Sequence, residues 1–283
     1  MRSDNRPSRT ALLFGLLAAV VVLLFIADLL VGSVAVRPGT VLDALLGRAC
    51  DPAIADIVLR IRLPKAVTAL FAGAALAASG LQMQTLFRNP LAGPYVLGVS
   101  SGAGLGVALF LLGAPLLGVA GHTLVQSLGI VGAAWIGGAL VLLVVMGVSR
   151  RIKDIMVILI LGMMFGSGVG SLVEMLQYIS DEAALKSFVV WTMGSLGDVT
   201  GERLAVMLPV VAAGLLLSAA LVKPLNLLLL GEHYARTMGL DVRRTRRRLF
   251  VATILLAATV TAFCGPIGFV GLAVPHLARM LFA

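Results

Sequence analysis

The sequence predicts an all-α fold, a polytopic transmembrane helix bundle of about eight spans, and three observations predict it. Of its 283 residues, 60% are hydrophobic and only 12% charged, with a mean hydropathy of +1.07. A soluble domain carries roughly twice that charged fraction. Apolar runs long enough for a ~30 Å hydrocarbon core recur along the chain, and such runs satisfy their own backbone groups as helices. The 32 glycines, with many Ala and Ser, suit helices packed closely in lipid, where small residues let backbones approach.

The charge pattern orients the bundle. The net charge is +9. With the N-terminus inside, fifteen of the 22 Lys and Arg fall on inward segments and seven on outward ones. That is the positive-inside pattern and not a nucleic-acid footprint, so lipid is the expected partner and nucleic acid is not.

Residues 11–31 form the first span; a secretory leader has an apolar region of only ~7–15 residues. Residues 32–63 stay outside and end in DIVLRIRLPK, where Arg60, Arg62 and Lys65 cluster ahead of the second span, 66–86. Two readings stand: a docking patch for an acidic partner, or interfacial anchoring by snorkelling side chains. Asn89-Pro90 and Gly93-Pro94 break the chain before a third span reaching about Leu112. Its opening SSGAGLG lacks the preceding strand of a phosphate-binding loop, so Gly102, Gly104 and Gly106 read as helix packing. The fourth span is about 124–148.

The fifth span, 155–179, carries a small-and-polar stripe. Gly166, Gly170, Glu174 and Tyr178 recur every four residues, flanked by Ser167 and Ser171. An ionisable residue at such a place faces the bundle interior or a watery cavity, so the stripe is a pathway candidate; helix–helix contact is the plainer alternative. Residues 181–203 stay outside with one short helix. The sixth span is about 204–222.

Residues 224–248 hold Glu232, His233, Arg236, Asp241 and five Arg between Arg243 and Arg248, too many charges to span. Two apolar blocks punctuated by Gly231 and Gly239 predict two short amphipathic helices on the inner side; a basic loop that only sets topology remains open. A seventh span at about 249–264 and a short eighth helix follow. His276 and Arg279 share a face of that last helix, a structural polar contact.

Chemistry is sparse. Cys50 and Cys264 have no framework or metal spacing, though both fall near the outer face and their pairing stays open. His122, His233 and His276 are scattered, and no nucleotide-binding, zinc-protease or triad pattern occurs. Neither catalysis, a metal nor a cofactor is expected of this chain. An ion-coupled secondary transporter would need paired midplane charges or broken helices in two related halves, and Glu174 alone is a poor basis.

Several long stretches resemble the permease subunits of FecCD-type ABC importers, which take up ferric siderophores, haem or cobalamin. They are IRLPK (61–65), GAALAASGLQMQTLFRNPLAGPYVLGVSSGAG (73–104), WTMGSLG (191–197), LLLLGEHYARTMGL (227–240) and GPIGFVGLAVPHLARML (265–281). The resemblance implies one permease domain over 1–283, whose segment 224–244 forms coupling helices seated on an ATP-binding subunit. Gly231, Glu232, Ala235, Arg236, Gly239 and Leu240 take the coupling positions. Arg62 and Lys65 match positions that pair with acids of a periplasmic binding protein. Asn89 and Leu91, with Asp154 and Ile155 on a looser match, take a cytoplasmic gate. It further implies a homodimer with two ATP-binding subunits, in the cell inner membrane with the N-terminus cytoplasmic. The motif version around 87–104 leans toward an iron chelate, with cobalamin the alternative. The family has ten spans, so the pair expected after Arg279 is missing from this sequence.

Overall fold

The computed structural model describes residues 6–113, 123–149, 152 and 154–282. His122 and the basic residues Arg150, Arg151 and Lys153 lie outside them. The described residues form twelve helices: α1 (Arg6–Leu30), α2 (Pro38–Leu45), α3 (Pro52–Phe87), α4 (Val99–Leu111), α5 (Thr123–Ser149), α6 (Ile155–Ile179), α7 (Glu182–Met193), α8 (Gly201–Ala220), α9 (Val222–Leu229), α10 (Glu232–Thr237), α11 (Val242–Cys264) and α12 (Val270–Phe282). A 3₁₀ turn, Pro94–Leu97, precedes α4. Six of them, α1, α3, α5, α6, α8 and α11, are long and apolar enough to cross a membrane.

The other two apolar helices, α4 and α12, have 13 residues each. At 1.5 Å per residue that is about 20 Å, short of a ~30 Å core. The expected third and eighth spans are therefore half-helices. Gly98, which opens α4, rests on Gly162 and Gly166 near the middle of α6. Gly271, in the first turn of α12, rests on Leu76, Gly80 and Pro94. Both half-helices thus begin inside the bundle and run to opposite ends. Irregular backbone at that depth survives only where protein covers it, and Ala92, Gly93, Pro94, Leu97 and Gly98 are all buried.

Two span boundaries differ from expectation. Helix α3 starts at Pro52, not near 66, because a π-helical turn over Ile57–Arg62 leads into Pro64 without breaking the helix. Wider turns of this kind accommodate the missing N–H of proline. Asp51 starts the helix by accepting from the Ala53 N–H at 2.9 Å. Likewise α11 starts at Val242, so the arginine run forms the first turns of a span instead of a separate linker. The Asp241 carboxylate accepts from the Arg244 N–H at 3.0 Å and sets that start. A second π turn, Ile254–Ala258, lies midway along α11.

The bundle is assembled around α11 and α3. In their most apolar windows 78% and 50% of residues are buried, against none in α1. A helix apolar on all sides belongs in the interior. Phe87, Leu142, Leu249 and Phe250 fill the core at the basic end; Leu76, Val107, Met207 and Leu256 fill the opposite half. Gly102 and Gly106 bring α4 against α5, since a Cβ at either would lie 2.5 Å or less from a carbonyl oxygen of Gly137 or Ala133. Gly104 meets nothing, so two of the three alternating glycines do the packing. Both cysteines are free thiols.

Candidate coupling face and pathway

At the basic end, the two short helices expected from the sequence are α9 and α10. Leu225 and Leu228 of α9 and Ala235 of α10 are buried in the core. Between the helices Gly231 takes φ +116°, which a side chain would strain, and a Cβ there would come 2.9 Å from the Arg88 guanidinium. That guanidinium donates to the Leu228 carbonyl at 3.1 Å and ties α9 to the end of α3. Gly239, at φ +84°, ends α10, where the Leu240 N–H returns to the Ala235 carbonyl at 2.9 Å.

Glu232 holds the hairpin to the bundle. Its carboxylate accepts from Arg236 at 3.3 Å and from Arg246, whose side chain is buried among the first turns of α11. Asp241 sits below the ordinary carboxylate range, chiefly because it accepts the Arg244 backbone N–H; the Arg244 charge adds to this. Of the six residues expected for coupling, Gly231, Glu232, Ala235, Gly239 and Leu240 shape or anchor the hairpin. Arg236 stands on its open face, beside His233, Tyr234, Thr237 and Met238, and Gly239 is exposed at the end of that face. Arg88 and Arg246 were not singled out as site residues. Their signal was a basic residue at each helix end facing the hairpin.

Of the residues expected at a gate, Asn89 and Asp154 serve locally as turn and helix caps. Arg88 adopts φ +49° and ends α3, with the Asn89 N–H bonded to the Gln84 carbonyl at 3.1 Å. The Asn89 side chain accepts from the Leu91 N–H at 2.9 Å, and Leu91 itself is 74% exposed. Asp154 caps α6 through the Met156 N–H at 2.8 Å, and Ile155 packs on the core. No hydrogen bond or ion pair joins the two sets among the described residues.

The α6 stripe splits. Gly166 faces inward against Gly98 and Ser101, and Gly170 is half-buried. Ser167, Ser171, Glu174 and Tyr178 are exposed along one unpartnered face, Tyr178 at 91%.

At the opposite end, Arg62 and Lys65 have separate roles. Arg62 is 6% exposed and donates to the carbonyls of Leu29 at 2.8 Å, Leu30 at 2.9 Å and Val34. It caps the end of α1, with its guanidinium turned inward where a docking role was expected. The π turn accounts for this, since one extra residue per turn swings Arg62 inward. Lys65 pairs with Asp28 of α1 at 3.0 Å and is half-exposed. Arg60, with an 80% exposed side chain, pairs with Asp56 at 3.1 Å. Near the basic end of α12, Arg279 donates to the Gln84 side-chain oxygen, whose amide donates to the Leu272 carbonyl at 3.2 Å.

The chain is similar to several transport permeases. The chain is 36% identical over 281 residues to the hemin transport permease HmuU of Yersinia pestis, covering 98% of this chain and 80% of that one. It is 37% identical over 223 residues to the vitamin B12 import permease BtuC of Salmonella paratyphi A, and 36% identical over 235 to the molybdate import permease MolB of Haemophilus influenzae. It spans 66% of the length of each of these two. A solved metal-chelate type ABC transporter in an inward-facing conformation superposes with a TM-score of 0.81 at 31% identity, over 96% of this chain and 82% of that one. The model of the FecCD transport family matches residues 19–283, and with these relatives it shows that the chain is a multi-pass membrane permease of the FecCD transport family.

Proposed function

We propose that this chain is the membrane-spanning subunit of an ATP-binding-cassette importer that carries an iron chelate, haem or a ferric siderophore, into the cytoplasm by alternating access. The observation that carries this reading is the α9–α10 hairpin. It projects a small exposed face from the basic end, yet Glu232 and Arg88 lock it to α11 and α3. A push on that face is therefore delivered to the two most central helices. The positive-inside pattern supports a cytoplasmic basic end and a cytoplasmic N-terminus, in the cell inner membrane that the family implies.

Two copies of an ATP-binding subunit seat on the hairpins of two permease copies. The exposed polar face of α6 meets its counterpart across a homodimer, so that Ser167, Ser171, Glu174 and Tyr178 line a shared path. Asn89 and Leu91, with Asp154 and Ile155, close its inner mouth. A periplasmic binding protein docks at the outer end, where Arg60 and Lys65 are the accessible cations. Haem or another iron chelate is favoured over cobalamin because similarity to the hemin permease extends over nearly the whole chain.

The test is uptake of radiolabelled haem, ferric siderophore and cobalamin by cells with and without the gene. Loss of iron-chelate uptake alone supports the reading, and loss of cobalamin alone moves the substrate to the vitamin. Uptake that persists when Arg236 is changed and the ATP-binding subunit no longer associates would point to a self-driven carrier and overturn it.

A further inference from the structure

Arg244, Arg247, Arg248 and Val251 recur at three- and four-residue spacing, so they share one face of α11 over its first turns. All four are exposed. They border a cleft of about 510 Å³ whose other walls are Met146, near the end of α5, and Leu217, near the end of α8. The cleft changes character with depth. Its mouth is cationic, and one turn further into the bundle Val251 lies with the two apolar walls. Arg244 gives its Nε to Asp241 at 3.0 Å. Arg247 lies within electrostatic reach of the Asp241 carboxylate, and both Arg247 and Arg248 are exposed at the cleft.

Helices α5 and α8 end, and α11 begins, at this level, which is where lipid headgroups meet the hydrocarbon. An acidic protein surface would satisfy the arginines but set polar groups against Met146, Leu217 and Val251. Free phosphate would leave the apolar walls bare. A phospholipid meets both demands: its phosphate oxygens accept from guanidinium forks, and an acyl chain covers apolar side chains. Charge complementarity selects an anionic headgroup. We propose that this cleft is a binding site for an anionic phospholipid, with the headgroup at Arg247 and Arg248 and an acyl chain along Met146, Leu217 and Val251.

The test uses the full chain purified in mild detergent and offered phosphatidylglycerol or phosphatidylcholine with the same acyl chains. Retained lipid is read by native mass spectrometry and by melting temperature. Phosphatidylglycerol should be retained selectively and raise the melting temperature. Arg247→Gln and Arg248→Gln should each lower its retention about fivefold, while Arg243→Gln, off the stripe, should not. Leu217→Trp, which fills the cleft without changing charge, should also expel it and covers the case of an arginine variant that fails to fold. Equal retention of the two lipids, or retention unchanged in the double arginine variant, overturns the proposal. So does loss of an associated acidic protein from that variant with lipid retention intact, since that would assign the arginines to the protein.

Discussion

Replacing Arg62 with Met removes one guanidinium and strands three carbonyls. Those of Leu29, Leu30 and Val34 have Arg62 as their donor in this corner, and Arg62 is 6% exposed, so water cannot replace it freely. The Leu29 acceptor is buried and costs about 1–3 kcal/mol when stranded, while those of Leu30 and Val34 are part-buried and cost less; relief of the buried cation's own desolvation offsets part, leaving about 2–3 kcal/mol. That corresponds to a melting temperature lower by roughly 5–10 °C. Helix α1 packs poorly elsewhere, so residues 31–37 should also become the first site of proteolysis. Scanning fluorimetry in detergent with timed protease digestion reads both effects. Arg60→Met is the control: its ion pair with Asp56 is exposed and worth less than about 0.5 kcal/mol. If Arg62→Met melts with the parent but loses affinity for an acidic binding protein, the guanidinium works outward and the capping argument is refuted.

Three further outcomes are expected. Glu232→Gln removes the charge that ties α10 to the buried Arg246 side chain; with the Glu232 side chain 27% exposed, this should cost about 1–3 kcal/mol and release the ATP-binding subunit, checked by melting and co-purification. Gly80→Ala places a Cβ 1.8 Å from the Gly271 carbonyl oxygen, so α12 must separate from α3 at a cost of about 3 kcal/mol or more, read as increased protease access to α12. Asp241 has a folded pKa below its ordinary 3.8, so its contribution is complete above that value and is lost as pH falls through the depressed one. Hydrogen exchange at residues 242–245 should accelerate below about pH 4 in the parent and be already fast at neutral pH in Asp241→Ala.

Much of this was legible because lipid leaves a chain few options. Apolar length marks the spans, and Gly231 and Gly239 mark the hairpin through conformations that only glycine takes easily. What the sequence hid was depth and partnership. Nothing local says that α4 and α12 start mid-bundle; that follows from Gly98 meeting α6 and Gly271 meeting α3. Arg62 was read with Arg60 and Lys65 as one cluster ahead of the second span, and the π turn over Ile57–Arg62 separates them, leaving Arg62 buried and Arg60 exposed. Arg279 and Gln84 stand 195 positions apart, so no spacing rule could join them. The α6 stripe showed the opposite weakness. Periodicity found its face, but could not separate Gly166, which packs inward, from Ser167, which does not.

The length of α3 has a mechanical consequence. Thirty-six helical residues make a rod of about 54 Å, longer than the membrane is thick. One end is fastened by Arg88 to the Leu228 carbonyl, and exposed Arg60 lies toward the other. A tilt of about 5° about its midpoint moves each tip roughly 2 Å, the scale of helix shifts in many switching proteins. The rod is stiff except at Ile57–Arg62, where the wider turn weakens the backbone ladder. Motion imposed at the hairpin thus crosses the bilayer almost undiminished and is lost, if anywhere, in the last turns before it emerges.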